Sequence, residues 1–401
     1  MLASRTIVGL SISVVALSAC TRSAQTTTQG SPSPQSPAAS PTISLTTTPS
    51  GTGALISSLP SGCAEGAPAP AATVAFVSSG RAWAAAPDGT GLTCQFDVVA
   101  PGPFAWGPQG DRVLLDGLEV RGVGSSAQRP AGTAVPTAFS WGRPVGKAIV
   151  FSQAAQLEKA AIGSGQIDDI SPFPATAYRD VAYHPSGLAI GFVVVDAKYN
   201  EGEGEPGYSI WMSSNTGADQ RRLVWSKTGT EFGPIAFDQG GDQLFYVAHQ
   251  PSGKWFLARL LLKEGKVSEG QWIGDAPVLR LSLAPSPTTT PLTAGLPAGA
   301  ALDVGTGCDD RRAGSSTLDG SEGKPLLPAA TRPTTALGWL DPSNILVAEG
   351  GCDGPFDLWV ANVAEGAPVL LAGHVDVGAV RTIASGEAPP LPDLGIQTEF
   401  A

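Results

Sequence analysis

Four cysteines, three histidines and one acidic run are the side chains whose types and spacing could do chemistry. Cys63, Cys94, Cys308 and Cys352 are an even set, which in an exported chain reads as two disulfides. Cys308 and Cys352 each follow an apolar run through a short Gly-rich link, Gly305-Thr306-Gly307 and Glu349-Gly350-Gly351. They therefore occupy equivalent loops, and the pairing expected is Cys63–Cys94 with Cys308–Cys352. No Cys-x-x-Cys occurs and no histidine flanks a cysteine, so zinc is not expected. His184, His249 and His374 stand in no metal or triad pattern. A formal Gly-x-Gly-x-x-Gly at 202–207 carries Glu203 and Glu205, which would repel a pyrophosphate, and no helix follows it.

The acidic run from Asp196 through Glu201, Glu203 and Glu205 follows an apolar stretch as a long loop. Loops longer than a minimal hairpin cost ordering entropy and carry function more often than strands do. With Asp309, Asp310 and Asp353 beside the Cys308 and Cys352 loops, it forms the candidate binding face. That face suits a bound cation or a basic partner surface. No cofactor, no resident metal and no catalytic residue is expected.

Cys20 has a different chemistry. Arg5 gives the start of the chain one cation, Ile7 to Leu17 is an apolar stretch, and Leu17-Ser18-Ala19-Cys20 ends it. The stretch is too short to span a bilayer and fits a secretory signal. The last four residues resemble the lipobox of bacterial lipoproteins, in which the Cys thiol takes a diacylglycerol and cleavage falls just before it. Palmitate-like chains each add about 0.8 kcal/mol per buried methylene, so two or three hold a protein firmly. The expected location is extracytoplasmic, anchored to the cell membrane by lipidated Cys20.

Residues 21–62 are mainly Ser, Thr, Pro, Gln, Gly and Ala, too poor in apolar surface to offset ordering entropy. They read as a tether, about 35 Å in root-mean-square reach for some forty flexible residues. The chain holds 24 Lys and Arg against 35 Asp and Glu, a net −11, and loss of Arg5 with the signal makes it −12. Such a chain is repelled by phosphate backbones, which speaks against nucleic acid as a partner.

The elements that must position these residues recur. An apolar–x–aromatic or similar triplet precedes an apolar strand at Phe104-Ala105-Trp106, Phe139-Ser140-Trp141, Val181-Ala182-Tyr183, Ile235-Ala236-Phe237, Leu337-Gly338-Trp339 and, degraded, Leu281-Ser282-Leu283. The strands that follow are Arg112–Leu115, Ala148–Phe151, Leu188–Val195, Gln243–Ala248, Asn344–Ala348 and Ala300–Val304, with a further one at Thr73–Val77. Later strands run into Asp/Asn/Gly turns at 82–91, 210–223 and 358–366. The period of about 35 to 55 residues is that of propeller blades, which close into a ring because one blade cannot bury both faces. At these positions Trp106, Trp141, Tyr183, Phe237 and Trp339 read as packing between blades, and His184 as a turn residue.

These repeats resemble the TolB-type, WD-repeat-like β-propeller, though no copy has the full Ser-Pro-Asp-Gly turn. The expected fold is an all-β propeller of seven blades, with six as the alternative count. Val377–Ala384 completes the first blade and closes the ring, leaving no sheet edge. The domains expected are a signal peptide at 1–20, the tether at 21–62, the propeller at 63–388 and a tail at 389–401. The resemblance implies a non-catalytic scaffold of the cell envelope that binds a protein or glycan, as a monomer. The competing readings are a propeller enzyme with a pore-centred site, like quinoprotein dehydrogenases, glycosidases or lyases, and a ligand sensor for a membrane complex.

Overall fold

A computed structural model describes residues 53–399 with the exception of 99–104, 108–111, 116–118, 123–137, 143–147, 154, 162–165, 176, 196–206, 227–228, 269–270, 286–298, 317, 319–323, 365, 382–390 and 393–397. Cys20, the signal segment and most of the tether lie outside the described residues, as do Asp196, Glu201, Glu203 and Glu205. Among the described residues all regular structure is strand, and no helix is long and apolar enough to cross a membrane.

The described strands form seven sheets. The first orders Val377–Val380, Val74–Ser78, Arg81–Ala85 and Thr93–Asp97. The second has three strands, Ala105–Trp106, Arg112–Leu115 and Glu119–Gly122. The third runs from Ala138–Trp141 through Ala148–Gln153 and Gln156–Ala161 to Ile167–Asp169. The fourth holds Ala177–Tyr183, Ala189–Val195, Tyr208–Ser214 and Arg221–Trp225, with Thr398–Glu399 added in parallel at its edge. The fifth holds Glu231–Phe237, Gln243–His249 and Trp255–Leu261, the last pairing with both Lys266–Val267 and Gln271–Gly274. The sixth holds Val278–Leu283, Ala300–Val304, Arg312–Ser316 and Lys324–Pro325. The seventh holds Thr334–Trp339, Asn344–Glu349, Phe356–Asn362 and Val369–Val375.

Apart from that parallel edge strand, each sheet is an antiparallel meander whose second strand is the most apolar. Ala189–Val195 is buried at all seven positions, because both of its faces meet neighbouring sheets rather than water. Shared cores prove the neighbours. Val193, Ile210 and Met212 of the fourth sheet pack with Phe232, Leu244 and Tyr246 of the fifth. Phe245 and Val247 pack with Leu302, and Ala301 with Trp339 and Val347. Val74 and Phe76 pack with Leu346 and Leu358, so the last sheet meets the first. Burying each Leu, Phe or Ile contributes about 1.5–3 kcal/mol.

The fold is an all-β propeller. Six sheets carry at least four strands, and the sheet beginning at Ala105 carries three. The late strand Val377–Val380 is the innermost strand of the first sheet, antiparallel to Val74–Val77 in the register Val74↔Val380. Folded structure begins earlier than residue 63. Ile56 bridges to Ala372, its N–H donates to the Leu371 carbonyl at 2.8 Å, and Leu59 packs on the same core.

Candidate binding face

Antiparallel meanders put their loops on two faces. Loops from second to third strand, and from the fourth strand to the next sheet, open on what is called here the upper face. Loops from first to second and from third to fourth open on the lower.

On the lower face one turn is locked. His184 is wholly buried in the turn after Tyr183, with Nε2 2.7 Å from the Gly241 carbonyl and Nδ1 2.8 Å from Ser186 Oγ. Burial holds its imidazole below the ordinary pKa, hence neutral. Ser186 is also buried, and its Oγ accepts the N–H of Leu188 at 3.1 Å. This His–Ser contact locks a turn and exposes no nucleophile.

The upper face carries the predicted loops. Cys308, between Val304 and Arg312, and Cys352, between Glu349 and Phe356, form a disulfide with Cα atoms 5.2 Å apart. Cys63 pairs with Cys94. Asp310 is exposed, yet its two oxygens accept the N–H groups of Thr306 and Gly307 and the Thr306 hydroxyl at 2.7–2.9 Å. Those donors lower its pKa to about 2, so this carboxylate shapes its own loop. Asp309 Oδ1 lies 3.1 Å from Cys352 Sγ. A disulfide sulfur has no proton to donate and no thiolate charge, so Cys308, Asp309 and Cys352 make no metal site. Asp353 is exposed on the same loop as Cys352. The loop from 196 to 206 lies outside the described residues, but its flanking strands, ending at Val195 and starting at Tyr208, open on this face.

Sequence reasoning missed the residues at the inner edge of this face. Bulges interrupt four innermost strands, between Tyr178 and Val181, Phe232 and Ile235, Val278 and Arg280, and Ala336 and Gly338. A bulge leaves residues unpaired and re-aims them. Arg179, Leu279 and Arg280 are thereby exposed at the channel, while Asp180 turns against the neighbouring strand, where burial raises its pKa to about 6. A Cβ at position 233 would lie 2.6 Å from Asp180 Oδ2, so the glycine there admits the carboxylate.

Two clusters result. The Arg179 guanidinium lies 5.2 Å from the Tyr208 ring centre, and the Tyr208 hydroxyl hydrogen-bonds with Glu231. Glu231 Oε2 is 3.8 Å from His249 Nδ1, and His249 stacks on Trp255 at 4.3 Å. In the sixth sheet Arg280 stands directly across from Asp303. Asp303 is wholly buried and accepts the Ala336 N–H of the next sheet at 2.7 Å. Burial raises its pKa to about 6 against the pull of Arg280 and Arg311. Arg311 Nη1 is 3.3 Å from Thr335 Oγ1. The signal in the sequence was an Arg within the strand carrying two of the triplets, at Arg179-Asp180-Val181 and Arg280-Leu281; the bulges that turn these side chains inward left no such trace.

No family model matches the chain, and no curated protein does. Solved structures do. Prolyl endopeptidases are similar at 12% identity, TM-score 0.50, over 77% of this chain and 50% of theirs. The tricorn protease is similar at 13% identity, TM-score 0.50, over 77% of this chain and 34% of its own. TolB from Acinetobacter baumannii is similar at 12% identity, TM-score 0.40, over 80% of this chain and 67% of its own. The chain thus spans half or less of the two protease structures, and likeness at such identity is one of fold.

Proposed function

We propose that this protein is an extracytoplasmic lipoprotein, held to the membrane by lipidated Cys20, whose seven-bladed propeller binds a cell-envelope partner without catalysis. In this reading the three-stranded sheet is the seventh blade. Trp106 of that sheet bridges to Arg381, next to the closing strand, and packs with Ala75 and Ala379 of the first.

The observation that carries the reading is the Cys308–Cys352 link between two upper loops of adjacent sheets. With the Asp310 hydrogen bonds it holds these loops in place, and ordering a surface in advance lowers the cost of binding. The acidic side chains Asp309, Asp353, Glu201, Glu203 and Glu205 favour a basic partner surface, an attraction screened within about 8 Å at physiological salt.

In-cell photo-crosslinking from Thr306 and Asp353 on the upper face, and from Leu188 on the lower, tests the face. The reading expects adducts from the upper positions that fade when Glu201, Glu203 and Glu205 are all changed to Gln. Adducts from Leu188 alone would overturn it. Cys20→Ala should move the protein out of the membrane fraction; unchanged fractionation removes the anchor from the proposal.

A further inference from the structure

Among the described residues of the innermost strands three side chains are exposed, Arg179, Leu279 and Arg280. Two cations and one apolar group at the channel of a chain with net charge −11 run against its composition. Two other arginines of this protein are paired. Arg332 contacts Asp357 and lies 3.8 Å from Glu349, and Arg81 lies 3.4 Å from Asp97. Among the described residues, neither Arg179 nor Arg280 has a carboxylate within ion-pair distance.

The donors around Arg280 are not all taken up by the carboxylates near them. Asp303 lies across the strand pair from it and acts on both Arg280 and Arg311, one carboxylate for two guanidinium groups. Its Oδ1 is taken by Ala336 N–H, and the residue is sealed from solvent. Asp310 also acts on Arg311 and keeps its charge, but its oxygens accept from Thr306 and Gly307 rather than from the guanidinium. Arg311 is held by Thr335, with its Nε buried and lacking a hydrogen-bond partner. Partly desolvated guanidinium groups with open donors favour a ligand whose anion accepts from them, and a planar carboxylate matches their fork.

We propose that the upper mouth of the channel, at Arg280 with Arg311, is a subsite for the C-terminal carboxylate of a polypeptide whose last side chain is apolar. The assignment rests on the binding-face reading and names its ligand. Leu279, 36% exposed beside Arg280, supplies the apolar contact. The acidic rim of Glu231, Asp309 and Asp353 decides between carboxylate sources. It repels a polyanion such as a uronate chain, but tolerates one terminal carboxylate and favours Lys or Arg upstream of it.

Two pools of decapeptides with randomised C-terminal halves test this, one with free carboxylates and one amidated, each passed over the immobilised lipidated protein in detergent micelles. The free pool should be retained about tenfold more, the worth of one hydrogen bond to a charged group. Retained peptides should end in apolar residues after basic ones. Arg280→Gln should bring retention to the amidated level in a protein that still unfolds cooperatively, whereas Arg179→Gln, in the other cluster, should leave it unchanged. Equal retention of the pools, retention of neither, an unaffected R280Q protein, or capture of oligogalacturonate in place of peptides each overturns the assignment. Upper-face adducts that persist in cells alongside any of these outcomes would leave the face reading standing, whereas their loss would remove it.

Discussion

His184 Nε2 donates to the Gly241 carbonyl oxygen at 2.7 Å, joining the lower turns of two neighbouring sheets. The tautomer follows, since Nε2 carries the proton and Nδ1 accepts from the Ser186 N–H at 3.1 Å. Gly241 has φ 75°, and a Cβ there would lie 2.5 Å from the imidazole. His184→Ala removes both bonds and the edge contact with Phe237, whose ring centre is 5.1 Å away. It should cost about 2–4 kcal/mol in urea unfolding, and Gly241→Ala about 1–3. A loss below about 0.5 kcal/mol in both would show that the turns are not coupled through this contact.

Stability should respond to pH through three buried carboxyl groups. Burial raises Asp180, Asp238 and Asp303 from 3.8 to about 6. A raised pKa means that the folded protein holds a proton which the unfolded chain has released. Their contribution is complete below about 4 and is lost as pH rises through about 6. His184 has the opposite sign, because its lowered pKa gives stability that is lost as pH falls below 6.5. Asp238→Asn separates the two, since Asn keeps the acceptor for the Gln243 N–H at 2.9 Å. It should raise stability at pH 7 by about 1–2 kcal/mol and leave pH 4 nearly unchanged. An equal gain at both values would refute the assignment.

The two disulfides should differ in what their loss does. Cys63–Cys94 closes a separation of 31 residues and ties the segment containing Ile56 to the first sheet. Its replacement by serines should cost about 2–4 kcal/mol. It should also speed amide exchange at Leu55 and Ile56, which donate to the last strand of the seventh sheet at 3.0 and 2.8 Å. Exchange unchanged at both amides would mean that the segment is held by its own packing. Cys308–Cys352 joins two exposed loops, so its loss should weaken upper-face crosslinking more than it lowers the unfolding midpoint. The reverse order would mark it as a stability element.

What was legible in the sequence was what two buried faces impose. The seven apolar runs from Thr73–Val77 to Asn344–Ala348 are the second strands, within a residue or two at their ends. Even the degraded triplet at Leu281 is an innermost strand, Val278–Leu283. Single contacts without a period were hidden. Ile56 and Leu59 belong to a short apolar run, without a period, in a Ser- and Pro-rich stretch, yet both pack on the shared core of the first and seventh sheets. The stacking of His249 on Trp255 depends on a hairpin that brings together residues with five others between them. The inner arginines depend on bulges, which one extra residue creates without changing composition. Asp309, Asp310 and Asp353 lie on one face as the loop equivalence implied, but the hydrogen bonds that occupy Asp310 are a matter of loop geometry alone.

Two C-terminal truncations should have opposite consequences. Val377–Val380 pairs with the first strand along Val74–Val77, and the pairing is extended by Asp376 N–H to Val77 and Arg381 N–H to Thr73, both at 2.8 Å. Removing 376–401 would bare the edge of Val74–Ser78, a strand buried at all five positions, and strip Ala379 from the core shared with Trp106. An apolar edge with unpaired amides templates association, so this protein should be found aggregated or protease-sensitive. Removing 391–401 takes away the parallel pairing of Thr398 with Val224 and Glu399 with Trp225 at an outer edge. Its cost should stay within about 1 kcal/mol. Limited proteolysis and urea unfolding of both truncations give the comparison. If the protein lacking 376–401 unfolds cooperatively at the parent midpoint, the late strand Val377–Val380 does not close the ring in solution.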